Sequence, residues 1–75
     1  MRETTRETFR LVREGGLIAE VPVTLIESDH EWAPYLSAAD ALKLDEVRLA
    51  LRRGDLAAAS ALAQVYELTP VRAAE

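Results

Sequence analysis

Polar and apolar residues alternate along LIAEVPVTLIES, residues 17–28. Leu17, Ala19, Val21, Val23 and Leu25 fall on one side, with Ile18, Glu20, Pro22, Thr24 and Ile26 on the other. A period of two is strand geometry, and the first set is the buried face. The preceding run TFRLVR is a second strand candidate beginning at Thr8, and Glu14-Gly15-Gly16 lies between the two. Glycines between runs rich in Val, Leu, Ile and Thr predict a β-hairpin with Gly15 and Gly16 at its tip. Pro22 cannot donate to a ladder, so it places its strand at a sheet edge or at a bulge, and an edge stays open to a partner strand.

From Ser37 the period becomes helical. In Ser-Ala-Ala-Asp the serine hydroxyl can accept from the Asp40 amide, so a helix starts at Ala38. Arg52 and Arg53 suit its C-terminal dipole, Gly54 supplies a left-handed cap, and Asp55 caps a second helix. On the helical wheel Leu44, Val47 and Leu51 form one stripe that can cover the sheet. Ala38, Leu42 and Leu49 lie nearly opposite and need the second helix or another subunit. That second helix presents Leu56, Ala59, Leu62, Ala63 and Tyr66 and ends near Val65, since Pro70 forbids continuation. YELTPV suits a short final strand, and residues 72–75 read as a frayed tail. The expected class is α+β, one domain: a flexible arm over 1–7, a hairpin and loop over 8–36, a helical hairpin over 37–66, and a short strand or tail over 67–75.

Composition sharpens this outline. A chain of 75 residues is one small domain, and near this size only about 60% of the unfolded surface is buried. Alanine supplies much of the 49% apolar fraction, and the aromatics are Phe9, Trp32, Tyr35 and Tyr66. Such a core invites oligomerisation. Trp32 and Tyr35, beside Pro34 in the loop, either plug the core or anchor a partner, and in so aromatic-poor a chain the core placement is the first expectation. The absence of cysteine removes disulfides and thiolate metal sites. MRETTRETFRLVREGG lacks the apolar centre of a signal peptide and no run is long enough to span a membrane, so a cytoplasmic protein is expected. A net charge of -4 argues against general nucleic-acid binding.

Candidate chemistry is sparse. Glu27, Asp29, His30 and Glu31 gather the sole histidine with three carboxylates, but successive loop residues rarely converge on one ion, and they read as a solvated acidic turn. Ser28, Ser37 and Ser60 lack the context of an activated nucleophile, and the glycines serve a turn and a cap rather than a phosphate loop. No enzyme activity, cofactor or metal is expected. Arg2, Arg6, Arg10 and Arg13 would form a basic stripe on a helix, but on a strand Arg10 and Arg13 take opposite faces. Arg6 and Arg10 are the candidates for nucleic-acid contact. Arg48, Arg52 and Arg53 read as a solvated helix surface.

The stretches EVPVTLIE, WAPYLS, DALKLDEVRLALRRGDLAAASALA and LTPV together resemble a pattern in small bacterial antitoxin-like proteins of the kind encoded beside RelE-type toxins. The layout of a small sheet followed by a Ser-capped helix is also similar to HicB-like antitoxins, although that family's glycine-rich strand turns and DNA-binding tail are missing here. The resemblance implies an acidic, non-enzymatic protein that neutralises a small basic toxin by covering it. On this expectation the chain is a homodimer with partner contacts at Pro22, Trp32, Tyr35, Leu42 and Leu49. The alternatives are a stand-alone homodimeric adaptor or a small transcriptional regulator.

Overall fold

The computed structural model describes residues 2–30 and 32–73; Glu31 of the acidic turn and residues 74–75 of the expected tail lie outside them. Two long strands, β1 (Glu3–Glu14) and β2 (Leu17–Ser28), form an antiparallel hairpin. Gly15 takes φ 58° at the first position of the two-residue turn, a conformation that a side chain would oppose, while Gly16 stays at negative φ. That is the pattern of a type II′ turn, whose twist matches the strands it joins. The register runs without a bulge from Glu14↔Leu17 to Glu3↔Ser28. Strand β1 therefore starts at Glu3, and most of the expected flexible arm is part of the sheet. Its first residues, Glu-Thr-Thr-Arg-Glu-Thr, bury almost nothing and are held by backbone pairing to the far end of β2.

The central strand is β2, not an edge. On the side away from β1 it pairs with β4 (Gln64–Glu67) through Leu17 to Glu20, and with the two-residue β3 (Tyr35–Leu36) through Leu25 and Ile26. Between these short partners lies a gap. The Thr24 amide points into it and donates to Asp40 Oδ2 at 2.8 Å. Backbone amides alternate along a strand, so the nitrogen of Pro22 faces the same gap. The proline costs no ladder bond because no strand runs there, which is how a central strand accommodates it.

Helix α1 (Ala38–Arg52) begins as its sequence dictates: Ser37 is extended, and its hydroxyl accepts from the Asp40 amide at 3.1 Å. It ends in a Schellman motif. The Gly54 amide donates to the Leu51 carbonyl at 3.1 Å and the Asp55 amide to the Ala50 carbonyl at 2.8 Å, with Gly54 at φ 73°. Asp55 then accepts from the Ala58 amide at 3.0 Å to start α2 (Leu56–Leu62). The second helix stops earlier than expected, with Ala63 already extended and Tyr66 in β4 rather than on the helix. The edge of β2 at Ile18 and Glu20 needs backbone partners, and a chain that leaves the helix at Ala63 supplies them. The Leu68 amide prolongs this contact by donating to the Gly16 carbonyl at 2.8 Å.

One face of the sheet carries the core: Val12, Ala19, Val21 and Val23 meet Val47, Ala50 and Leu51 of α1 and Ala59 of α2. Small residues at Ala50 and Ala59 let the helices sit close to each other and to the sheet. Twelve-residue strands extend about 40 Å, whereas the fifteen residues of α1 cover about 22 Å. Much of the hairpin therefore projects beyond its helical cover. The molecule measures 56 × 33 × 15 Å with a radius of gyration of 15.5 Å, against about 11 Å for a compact domain of this length.

Candidate functional site

The helices lie on one side of the sheet only. On the outer side, register places Phe9 opposite Pro22, with Leu11 one step along β1. Ile18 stands beside Tyr66 of β4 at one end of β2, and Ile26 beside Tyr35 of β3 at the other. Phe9 is 58% exposed and Leu11 65%, and Pro22, Tyr35 and Tyr66 are exposed as well. Phe9, Leu11 and Pro22 thus form an exposed apolar cluster at the middle of an uncovered sheet face, with the Ile18/Tyr66 and Ile26/Tyr35 pairs toward its two ends. Polar residues flank and interrupt these apolar positions: Glu3, Glu7 and Arg13 on β1, with Glu20 between Ile18 and Pro22 and Thr24 between Pro22 and Ile26 on β2. The Tyr35 hydroxyl donates to Glu3 Oε2 at 3.4 Å across the sheet.

The structure places two of the residues expected from sequence, Pro22 and Tyr35, on this same face, with Thr24 between them. It separates the others. Trp32 is fully exposed in the turn before β3, which corrects the expectation of a core plug. The core-face position of β3 is taken by Leu36, opposite Leu25 and packed against the core, rather than by the tryptophan. Leu42 and Leu49 remain 62% and 52% exposed on the far side of α1, uncovered by α2. Asp45 and Glu46, also exposed, lie between them along the same stripe, so the two leucines form no continuous apolar patch. Leu44, Val47 and Leu51 do turn toward the sheet, with the last two buried.

Arg6 and Arg10 occupy the helix-side face of β1, opposite Leu25 and Val21, and both are exposed where α1 leaves the strand uncovered. Arg13 lies on the other face. Nearby, Arg2, Thr4, Glu27, Ser28 and Asp29 line a shallow depression of about 200 Å³, polar and of mixed charge. The His30 amide donates to Ser28 Oγ at 3.2 Å, so this segment is an ordinary polar turn. Among the described residues no three His, Cys, Asp or Glu side chains converge as a metal site, and no helix is long and apolar enough to cross a membrane.

One ion cluster braces the far end of the hairpin. Arg52 reaches Glu14 with Nε at 3.2 Å and Nη2 at 3.3 Å, and Arg48 lies 3.5 Å away. The Arg52 hydrogen bond, aided by the charges of Arg52 and Arg48, holds the Glu14 carboxyl below its ordinary value against a smaller opposing effect of desolvation. Arg52 is raised in return, chiefly by its hydrogen bond to Glu14. The cluster clamps the C-terminal end of α1 to β1, whereas the Thr24 to Asp40 bond clamps the N-terminal end to β2.

Phe9, Leu11 and Tyr66 were not singled out as partner contacts from sequence. The available signal was the Gly15-Gly16 turn: a two-residue loop fixes Phe9 opposite Pro22 and turns Phe9 and Leu11 away from Val12. No protein-family model matches this chain, and comparison with curated proteins and with solved structures yields no similar protein.

Proposed function

We propose that this chain is a non-enzymatic, cytoplasmic protein-binding module that seats a partner on the outer face of its sheet. The observation that carries this reading is the exposure of Phe9, Leu11, Pro22, Tyr35 and Tyr66 on one uncovered sheet face, interspersed with charged and polar residues. Exposed aromatic side chains set among polar ones are the composition of recognition surfaces. The specific form proposed is the antitoxin of a type II toxin-antitoxin pair, with a small basic toxin as partner. The net charge of -4 suits such a partner.

Co-expression with the product of the neighbouring gene, followed by size-exclusion chromatography with light scattering, tests this. The expected result is one co-eluting complex. The double variant Pro22→Asp, Tyr66→Ser should release the partner while leaving the chain's unfolding transition in place. A chain that ignores its neighbour overturns the antitoxin form and leaves a stand-alone adaptor. A complex indifferent to the double variant overturns the assignment of the sheet face.

A further inference from the structure

The outer edge of β1 is long, free of proline and free of bulges, a combination that sheet proteins usually avoid because it invites another strand. Which groups face outward follows from the register. The Thr24 amide points away from β1, so the even-numbered amides of β2 do likewise and its odd-numbered ones face β1. Their partners on β1 are even-numbered. The odd residues, among them Glu7, Phe9, Leu11 and Arg13, therefore direct their backbone N–H and C=O groups outward, and their side chains lie on the uncovered face.

This edge complements itself. Two copies of β1 running antiparallel about a two-fold axis through Arg10 place Phe9 opposite Leu11 and Glu7 opposite Arg13, each pair occurring twice by symmetry. All are hydrogen-bonding positions, so each pair would exchange both of its backbone bonds. On the helix side Arg6 falls opposite Glu14 and Thr8 opposite Val12, with the like charges of the two Arg10 residues as the one adverse contact. Neighbouring registers lack this match. Centring on Phe9 sets Glu7 against Leu11 and Thr5 against Arg13, whereas centring on Leu11 sets Phe9 against Arg13.

We infer that the β1 edge binds a second copy of this chain in the register centred on Arg10, joining two sheets into one continuous sheet with a shared apolar outer face. This assembly rests on the protein-binding reading and names one of the partners. Surface area agrees with it. The chain exposes 5793 Å², against about 4,600 Å² for a compact monomer of its mass. The excess exceeds the roughly 800 Å² per partner that a stable interface buries, although the extended segment after β4 accounts for part of it.

Charge exchange tests the register. Glu7 and Arg13 lie six residues apart on one strand, opposite Thr24 and Ile18 within the chain, so only a second copy can couple them. The dimer constant, measured by sedimentation equilibrium on the full chain, should weaken about tenfold or more in Glu7→Arg and in Arg13→Glu, since each places like charges opposite one another twice. The double variant should recover most of the loss.

A second readout uses the absence of native cysteine. Arg10→Cys puts two thiols at a non-hydrogen-bonded pair, with Cα atoms about 4.5 Å apart, within disulfide range. Mild oxidation should give a covalent dimer of Arg10→Cys and little from Glu3→Cys. A chain that remains monomeric at millimolar concentration, a double variant that fails to recover, or equal cross-linking at both positions would overturn the assignment. If the chain is monomeric alone yet still binds its neighbour through the Pro22 and Tyr66 face, self-pairing fails and the protein-binding function stands. If both fail, both are removed.

Discussion

Asp40 Oδ2 accepts the backbone N–H of Thr24 at 2.8 Å, fastening the first turn of α1 to the middle of the central strand. The same residue donates its own amide to Ser37 Oγ at 3.1 Å and lies 3.6 Å from Lys43 Nζ. A helix-capping sequence thus doubles as the edge partner that β2 lacks between β3 and β4.

Asp40→Ala should cost about 1–3 kcal/mol, because it leaves a partly buried amide without an acceptor and removes a charge-assisted bond. Asp40→Asn keeps an acceptor and should lose less. Urea unfolding of the three proteins checks this ordering; an alanine variant as stable as the parent would show that the bond contributes nothing net.

Adjacent residues on β1 should respond oppositely to the same change. Val12→Thr buries a hydroxyl among Val21, Val47 and their neighbours and should cost about 1–3 kcal/mol. Leu11→Thr alters only the exposed face and should shift stability by about 0.5 kcal/mol or less. Thermal unfolding at low protein concentration, where self-association does not contribute, makes the comparison.

Acid should weaken the clamp between α1 and β1. The Glu14 carboxyl is held low mainly by the Arg52 hydrogen bond, so its folded value lies beneath its unfolded one. Its contribution is therefore complete above the unfolded value, about 4.3 for glutamate, and is lost as pH falls through the lower folded value. The unfolding midpoint of the parent should drop more steeply below pH ~4.3 than that of Glu14→Gln, in which this step is absent. Parallel curves would remove Glu14 from the acid response.

Gly54→Ala should destabilise the helical junction by about 1 kcal/mol, since φ 73° is costly for a residue with a Cβ even though no atom crowds the position. Gly16→Ala, at negative φ and equally uncrowded, should be close to neutral. Circular dichroism melts of the pair separate a backbone effect from a packing effect.

The α+β class was legible because its punctuation is strong. The Gly15-Gly16 turn, the Ser37 cap and the Gly54-Asp55 junction each have one comfortable conformation, and the alternation of Leu17 to Leu25 tracks burial. Residues 3–7 were illegible for a physical reason: they become strand through hydrogen bonds to β2 without burying side chains, and no hydropathy pattern records that. The final strand is legible at Tyr66, but its start at Gln64 is not: alanine-rich sequence continues helical periodicity past Leu62, whereas the demand of β2 for an edge partner draws the chain out at Ala63. Pro22 was read locally as an edge marker, but its accommodation depends on where β3 and β4 stop. At the candidate site Pro22 and Tyr35 were found by residue type, whereas Phe9 and Leu11 emerge only once register assigns them a face.

Among the described residues every strand pairing passes through β2, which meets β1 along one side and β3 and β4 along the other. Such a hub-and-spoke arrangement has no alternative route. A backbone nick in β2 between Glu20 and Leu25 would divide the β1 ladder and leave β4 and β3 paired to different halves of the strand, whereas one after β4 would spare every ladder. The amides of β2 that face β1, at Val21 and Val23, should therefore be among the last to exchange with solvent. The chain's tolerance for fusion or proteolysis should be graded outward from that single strand.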